Sequence, residues 1–358
     1  MKITIFQQDT LGLNDSRFAL FCYKLEKDTL VLLPEYTLNP FFMELKSKTK
    51  KQIHSHTNSQ ICFLSYLAER HNINFVAPIV RHINKKLYKE IIYISTQNAQ
   101  KFNQDIQKTQ NIQKVIDTTK KTQKQQKNIN EGATNRAESR ADSSAKGNKT
   151  THNDSSTKSP STQDSSLIQN AQGIKKFIFD FCISDTDTLT HIDKCATIYP
   201  FYRQQRLIEY HHWNEARFFD NHKHKILKKP LIFTHNGFNI AALFGFEVHF
   251  DEFWLSMKKE GVDIVLLPCA NTFQSNARWR ELCKVRAFLN GCVVIRANRV
   301  GTSVINDNEW VFYGDSLIAM PNGEIIDNLR DKEAMLSLEI YKNKILEMAH
   351  EWGFRKNF

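Results

Sequence analysis

Three apolar runs in this 358-residue chain stop at a point where chemistry is usually presented. In "LVLLPEY", Glu35 follows four apolar residues and a proline. Reactive side chains of layered α/β folds gather just past the carboxyl ends of strands, so Glu35 is a candidate proton carrier. In "NIAALFGFE" the run stops at Gly245, with Phe246 and Glu247 next. A nucleophile is expected at such a strand end, and glycine supplies none. In "IVLLPCANTF" the run stops at Cys269, with Asn271 two residues on. A cysteine beside an apolar strand, with no base adjacent in sequence, reads as inert core. The stretch "YRQQRLIEYHHWNEARFF" adds His211, His212 and Glu215. Their spacing matches no standard metal-ligand pattern, so neither a metal nor a cofactor is expected.

These strand ends need a scaffold, and the rest of the chain supplies one. Before residue 98 come the strands "KITIFQQ", "TLVLLPE", "INFVAPIV" and "LYKEIIYIS", with helical stretches near residues 15–26 and across "NSQICFLSYLAERHN". After residue 173 come "KFIFDFCIS", "CATIYPFYRQ", "PLIFTH", "NIAALFGFE", "VDIVLLP", "CVVIRANRV" and "SLIAMPNG", with helices across "FDEFWLSMKKEG" and "RWRELCKVRAFLN" and one at the C-terminal end. Strands alternating with helices, many nearly continuous in apolar residues, predict an α/β fold with buried sheets. Between the flanks, residues 98–173 turn to Gln, Asn, Lys, Ser and Thr, and such composition buries too little apolar area to offset its ordering entropy. The expected organisation is one domain split into 1–97 and 174–358, with 98–173 a disordered insertion carrying at most a frayed helix near residues 100–128.

The formal charge is +11, and residues 101–172 contribute 12 Lys and Arg against 7 Asp and Glu. No basic cluster is interleaved with aromatics as a base-stacking platform requires, so nucleic acid is not an expected partner. The seven cysteines are odd in number, without a CxxC pair, and sit mostly in apolar runs. They read as reduced, buried thiols. The start "MKITIFQQDT" has no apolar run of the length a signal peptide needs, and no run of about 18 apolar residues occurs. A cytoplasmic protein with no membrane contact is expected.

In order along the chain, "LVLLPE", "YRQQRL", "NIAALFGFEVHFDEFW" with "GVDIVLLP", "RWRELCKVRAFLNGCVVIRANRVG" and "GDSLIAMPNGEII" together resemble the nitrilase, or carbon–nitrogen hydrolase, superfamily. The resemblance covers nearly everything outside the low-complexity insertion. It implies a four-layer αββα sandwich whose subunits commonly pair, so a homodimer or higher homo-oligomer is expected. It also implies a Glu–Lys–Cys triad in which a thiolate attacks an amide or nitrile carbon, a glutamate moves protons and a lysine stabilises charge.

Of that triad this sequence matches only Glu35. Gln204, in "YRQQRL", stands in the lysine's place and Gly245 in the cysteine's. Phe250, Glu252, Gly261 and Pro268 follow in the family's register without a gap. Glycine there is read as the residue that tolerates a strained elbow. Glu215 resembles the family's second glutamate, the one that orients the lysine, and is expected to hold the Gln204 amide instead. Phe246 and Asn271 are expected to line the pocket; Trp213, His249 and Trp254 read equally as packing or as ligand contacts. Without its lysine, Glu35 should have a raised pKa, unless Arg203 or Arg206 moves in.

The leading expectation is therefore a degraded hydrolase site, a pseudoenzyme that binds a small amide or carboxylate-like molecule or serves in assembly. The alternative is an active amidase-type hydrolase of non-peptide C–N bonds, using Glu35 with water or an unusual cysteine. A third, a basic adaptor working through the insertion, is the weakest.

Overall fold

A computed structural model describes residues 1–108, 198–272, 275–353 and 355. Two six-stranded sheets form its centre. In the first, β1 (Lys2–Gln7), β2 (Leu30–Leu32) and β3 (Asn74–Ile83) run parallel; β4 (Lys86–Ile94) and β5 (Phe201–Arg203) extend one side, and β14 (Ala334–Glu339) pairs antiparallel with β1 on the other. In the second, β7 (Phe238–Ala242), β8 (Ile264–Cys269) and β9 (Val293–Asn298) run parallel; β6 (Leu231–His235) flanks one side, β12 (Leu317–Ala319) and β13 (Ile325–Asn328) the other.

Period-two alternation decides which side chains face which layer. Leu30 and Leu32 enter the core between the sheets, and Val31 and Leu33 enter the core beneath the helices. In β4, Ile91 and Tyr93 face the other sheet, and Ile92 and Ile94 face the helices. Helices α1 (Ser16–Lys24) and α3 (Lys50–His71) cover the first sheet. Asp15 caps α1 through Phe18 N–H, and Thr49 with Gln52 forms a capping box on α3. Helices α5 (Asp251–Lys259) and α6 (Asn276–Asn290) cover the second sheet with Phe253, Trp254, Met257, Cys283 and Ala287. The result is the expected αββα sandwich.

The folded body extends beyond residue 97. Residues 96–108 are helical (α4), and Ala99, Phe102 and Ile106 are buried in the core beneath the helices. The start of the expected insertion therefore belongs to the domain, because its apolar residues recur at helical spacing and have a face to cover. Residues 109–173, and the expected strand at "KFIFDFCIS", lie outside the described residues. The hairpin of β10 (Val300–Ile305) and β11 (Asn308–Tyr313), with β13 and β14, is absent from the sequence reading. A short helix, α2 (Phe42–Leu45), and a C-terminal helix, α7 (Lys342–Glu351), complete the order.

If α4 is part of the body, Phe102→Ala should cost about 3–5 kcal/mol, whereas Gln100→Ala, on the exposed side, should change stability by no more than about 0.5 kcal/mol. Urea unfolding of the two variants checks the difference.

Candidate functional site

Strand β2 ends at Leu32, and the chain turns through Pro34 so that Glu35 is buried at 5% exposure between the sheets. The Glu35 N–H donates to the Cys269 carbonyl at 3.3 Å, which ties the end of β2 to the end of β8. Tyr36 follows in the left-handed region at φ 58°. That is strained for a bulky residue, and its hydroxyl is held by Glu215 Oε1 at 2.5 Å.

Glu35 has a cationic partner. Lys89 of β4 donates from Nζ to Glu35 Oε2 at 2.5 Å and to Glu215 Oε1 at 2.7 Å, with all three side chains buried. Lys89 shares strand parity with Ile91 and Tyr93, so it points into the layer between the sheets. It also lies 4.9 Å from the ring centroids of Tyr36 and Phe244. Burial alone would lower the lysine's pKa, yet Glu215 and Glu35 hold it above its ordinary value. Burial pushes Glu35 up to about 7, with Lys89 pulling down, Glu215 pushing up and the Gly245 N–H stabilising the anion. The direction is upward as expected, but the cause is burial and not a missing cation, since Lys89 is in contact.

The supplying residue differs from every candidate in the sequence reading. Gln204 lies across from Lys89, its N–H donating to the Lys89 carbonyl at 3.1 Å. Its amide turns away to the Arg206 carbonyl at 2.8 Å, and Oε1 has no partner among the described residues. Glu215 therefore holds Lys89 and Tyr36, not the Gln204 amide. Arg203 pairs with Glu90 at 2.6 Å, and Arg206 donates to the Gln205 and His224 carbonyls; neither arginine replaces the lysine. The lysine was legible in "LYKEIIYI" as the single cation on the face that Ile91 and Tyr93 continue.

Gly245 opens a short 3₁₀ turn, Gly245–His249, after β7. Its φ is not positive, so the glycine is not there for conformational freedom. The reason is space. A Cβ built on Gly245 would overlap the Cys269 Sγ, and would stand 3.2 Å from the Cys269 Cβ and 3.3 Å from the Pro268 carbonyl. The thiol of β8 thus occupies the region into which a side chain on residue 245 would project. Glu247 locks this turn to the Gln204 segment by accepting from Tyr202 Oη at 2.8 Å, Gln205 N at 2.7 Å and Arg206 N at 3.1 Å.

Cys269 is 1% exposed, and burial pushes its thiol up to about 12, opposed chiefly by the Arg296 guanidinium. Arg296 is fully buried; it donates to Asn271 Oδ1 at 2.8 Å, Tyr313 Oη at 3.0 Å and the Asp315 carbonyl at 2.6 Å. Arg296 also lies 3.6 Å from the Asp315 carboxylate, which Arg280 pairs with at 2.5 Å. Two guanidinium groups share one carboxylate beside the sulfur, a cluster one negative charge short of balance.

Glu35, Gly245, Phe246, Cys269 and Asn271 all line one cavity of about 300 Å³. Trp213 and His249 line it too, whereas Trp254 packs in the core with its indole N–H on the Val248 carbonyl. Gln204, Glu215 and Lys89 stand behind the lining. His211 and His212 are exposed, Glu215 is buried, and among the described residues no group of three or more His, Cys, Asp or Glu is placed to hold a metal.

The family description "Carbon-nitrogen hydrolase" matches residues 186–348. A carbon–nitrogen hydrolase structure from Helicobacter pylori G27 superposes with TM-score 0.61 at 14% identity, covering 100% of this chain and 95% of that one. Over residues 186–348 the chain belongs to the carbon–nitrogen hydrolase superfamily. An amidase of the nitrilase superfamily from Nesterenkonia has the same fold, with TM-score 0.54 at 13% identity, covering 100% of this chain and 97% of that one. The N-carbamoylputrescine amidase of Solanum tuberosum is 30% identical over 116 residues, which are 29% of this chain and 39% of that protein. The deaminated glutathione amidase of Synechocystis is 23% identical over 126 residues, covering 35% of this chain and 45% of that one. The matched segment thus spans about two-fifths of the length of the curated relatives. In this carbon–nitrogen hydrolase scaffold, the acid, the ammonium and a thiol are all at the cavity or directly behind it, though two of them arise from unexpected strands. No described helix is long and apolar enough to cross a membrane.

Two outcomes follow for urea unfolding. Lys89→Met should cost about 3–5 kcal/mol because it leaves buried carboxylates unpaired, and adding Glu35→Gln should recover part of that loss. Gly245→Ala should cost about 1–3 kcal/mol by overpacking, shrinking to under about 1 kcal/mol when combined with Cys269→Ala.

Proposed function

We propose that this protein hydrolyses small non-peptide amides with Cys269 as nucleophile, Glu35 as proton carrier and Lys89 as the charge that keeps Glu35 in service. The observation that carries this reading is the overlap between the Cys269 sulfur and the side-chain space of Gly245, in the cavity that Glu35 also lines. A thiol contributed by β8 stands in for one contributed after β7.

The chemistry closes without further components. Glu35 takes the thiol proton as Sγ bonds to the amide carbon and the carbonyl oxygen gains the charge. The C–N bond then breaks, the nitrogen leaves with the proton from Glu35, and a thioester remains. Water attacks that thioester after giving a proton to Glu35; the C–S bond breaks and the sulfur recovers the proton. One amide and one water become one carboxylic acid and one amine. The raised pKa of Glu35 suits this relay, since a carboxyl near 7 both accepts and returns a proton close to neutrality.

A second reading, a binding protein without turnover, is favoured by one observation: Cys269 is 1% exposed and its thiol donates to the Leu267 carbonyl at 3.4 Å, a burial that pushes it up to about 12. Its prediction differs in kind, because the cavity would then bind amides indefinitely unchanged.

Ammonia release from a panel of small primary amides separates the two. Under the hydrolase reading, Cys269→Ala lowers the rate by about 10³-fold or more, and acid-quenched turnover leaves an acyl mass on Cys269. Glu35 must be ionised to take the thiol proton, so kcat/KM should climb with pH through about 7, and Glu35→Gln should remove that limb. Activity that survives in Cys269→Ala, or no ammonia from any amide, would sink the proposal.

A further inference from the structure

Attack of a thiol on an amide puts negative charge on the carbonyl oxygen, and catalysis needs a donor already aimed at that charge. Lys89 is committed to Glu35 and Glu215 behind the lining, and the Gly245 N–H is committed to Glu35. The Trp213 indole N–H and the Thr272 hydroxyl belong to lining residues but are sealed from solvent, and Arg278 is exposed on the first turn of α6. The side-chain amide of Asn271 is both fixed in direction and open.

Asn271 lies on the lining two residues beyond Cys269, just past the end of β8. Its N–H donates to Asn298 Oδ1 at 2.9 Å and its carbonyl accepts from the Tyr313 N–H at 3.4 Å, so β9 and β11 pin its backbone. Its Oδ1 accepts from Arg296 Nη2 at 2.8 Å. A guanidinium only donates, so this contact decides which end of the amide is oxygen. Nδ2 is the other end; it has no hydrogen-bond partner among the described residues and is not sealed from solvent. Arg296 is itself fully buried and held by Tyr313 Oη and the Asp315 carbonyl. Donation from a cation into Oδ1 polarises the amide and strengthens Nδ2–H as a donor. In the register of β8 and β9, Arg296 stands level with Leu267, yet its head group reaches Asn271. It therefore passes beside Cys269, whose thiol feels both its charge and its hydrogen bond. Sulfur and amide flank one guanidinium.

We propose that Asn271 is a catalytic donor, its Nδ2–H binding the amide carbonyl oxygen and taking up the charge that this oxygen gains as Sγ bonds to carbon. The role in turnover rests on the hydrolase reading; recognition of a carbonyl oxygen by Nδ2 stands on the geometry alone. The bond strengthens as the C=O electron pair moves onto oxygen, so it favours the transition state over the bound amide.

Two measurements with propionamide test it. In turnover, Asn271→Ala should lower kcat by about 10²–10³-fold while KM moves far less. Asn271→Asp keeps an oxygen for Arg296 but has no N–H to give, so it should be impaired as severely; a residue needed only to hold Arg296 would be rescued by aspartate. In binding, infrared spectra of carbonyl-labelled propionamide are taken on Cys269→Ala, where the covalent step is absent. The carbonyl stretch should lie at lower frequency there than in Cys269→Ala combined with Asn271→Ala. Activity restored by Asn271→Asp, a carbonyl band indifferent to Asn271, or no binding of propionamide to Cys269→Ala would overturn the proposal. If the band depends on Asn271 while wild-type protein releases no ammonia from propionamide or from the amide panel, the hydrolase reading falls and the carbonyl contact stands.

Discussion

The site is organised around one ammonium between two carboxylates. Lys89, Glu35 and Glu215 are buried between the sheets, and an ionised group there is tolerated only with partners. Each partner comes from a different part of the chain: the end of β2, the middle of β4 and the 3₁₀ turn at Glu215–Arg217. With all three ionised the cluster would hold one excess negative charge. Raising Glu35 toward neutrality relieves that excess, and of the three residues Glu35 is the one that lines the cavity. Tyr36, held in a strained conformation by Glu215, fixes the turn that aims Glu35.

Both departures from the family pattern follow the same rule. Neighbouring strands lie about 4.8 Å apart, so a side chain on one can reach space normally filled from the next. Lys89 and Gln204 face each other across the β4–β5 edge, and Cys269 ends the strand beside the one that leads to Gly245. In each pair the lysine or the thiol stands on one strand and the position beside it is neutral. At residue 245 the exchange is enforced sterically: the sulfur and a side chain on residue 245 exclude one another.

Much of this was legible in the sequence because it depends on local periodicity. The parallel strands, their covering helices and Glu35 at a strand end follow from apolar runs and from the break at Pro34. What failed to read was the pairing of elements distant in the chain. Lys89 precedes Gln204 by a stretch that includes the residues outside the described set, and no local pattern says that β4 lies against β5. Cys269 read as core because only the three-dimensional neighbour, glycine at 245, makes its position unusual. The hairpin at residues 300–313 alternates weakly, with exposed Val304 and Val311, and so gave little periodic signal. The first turns of α4 were absorbed into a compositional boundary although Ala99, Phe102 and Ile106 already carried helical spacing.

A thiol pushed up to about 12 beside a carboxyl near 7 does not ionise at rest, and this constrains how the proposed reaction begins. Proton transfer from Cys269 to Glu35 leaves the net charge of the site unchanged: a negative charge leaves the neighbourhood of Lys89 and enters that of Arg296. The Arg280–Asp315–Arg296 cluster is short by that one charge, so the thiolate completes a balance that the resting site lacks. The move is still uphill, because Lys89 forms direct ion-pair contact with Glu35 whereas the guanidinium of Arg296 is shared among Asn271, Tyr313 and Asp315. Attack must then proceed as the proton leaves, with the forming C–S bond taking up the electron pair. A site built this way keeps its sulfur protonated, and hence slow toward stray electrophiles, until an amide carbon is in place to receive it.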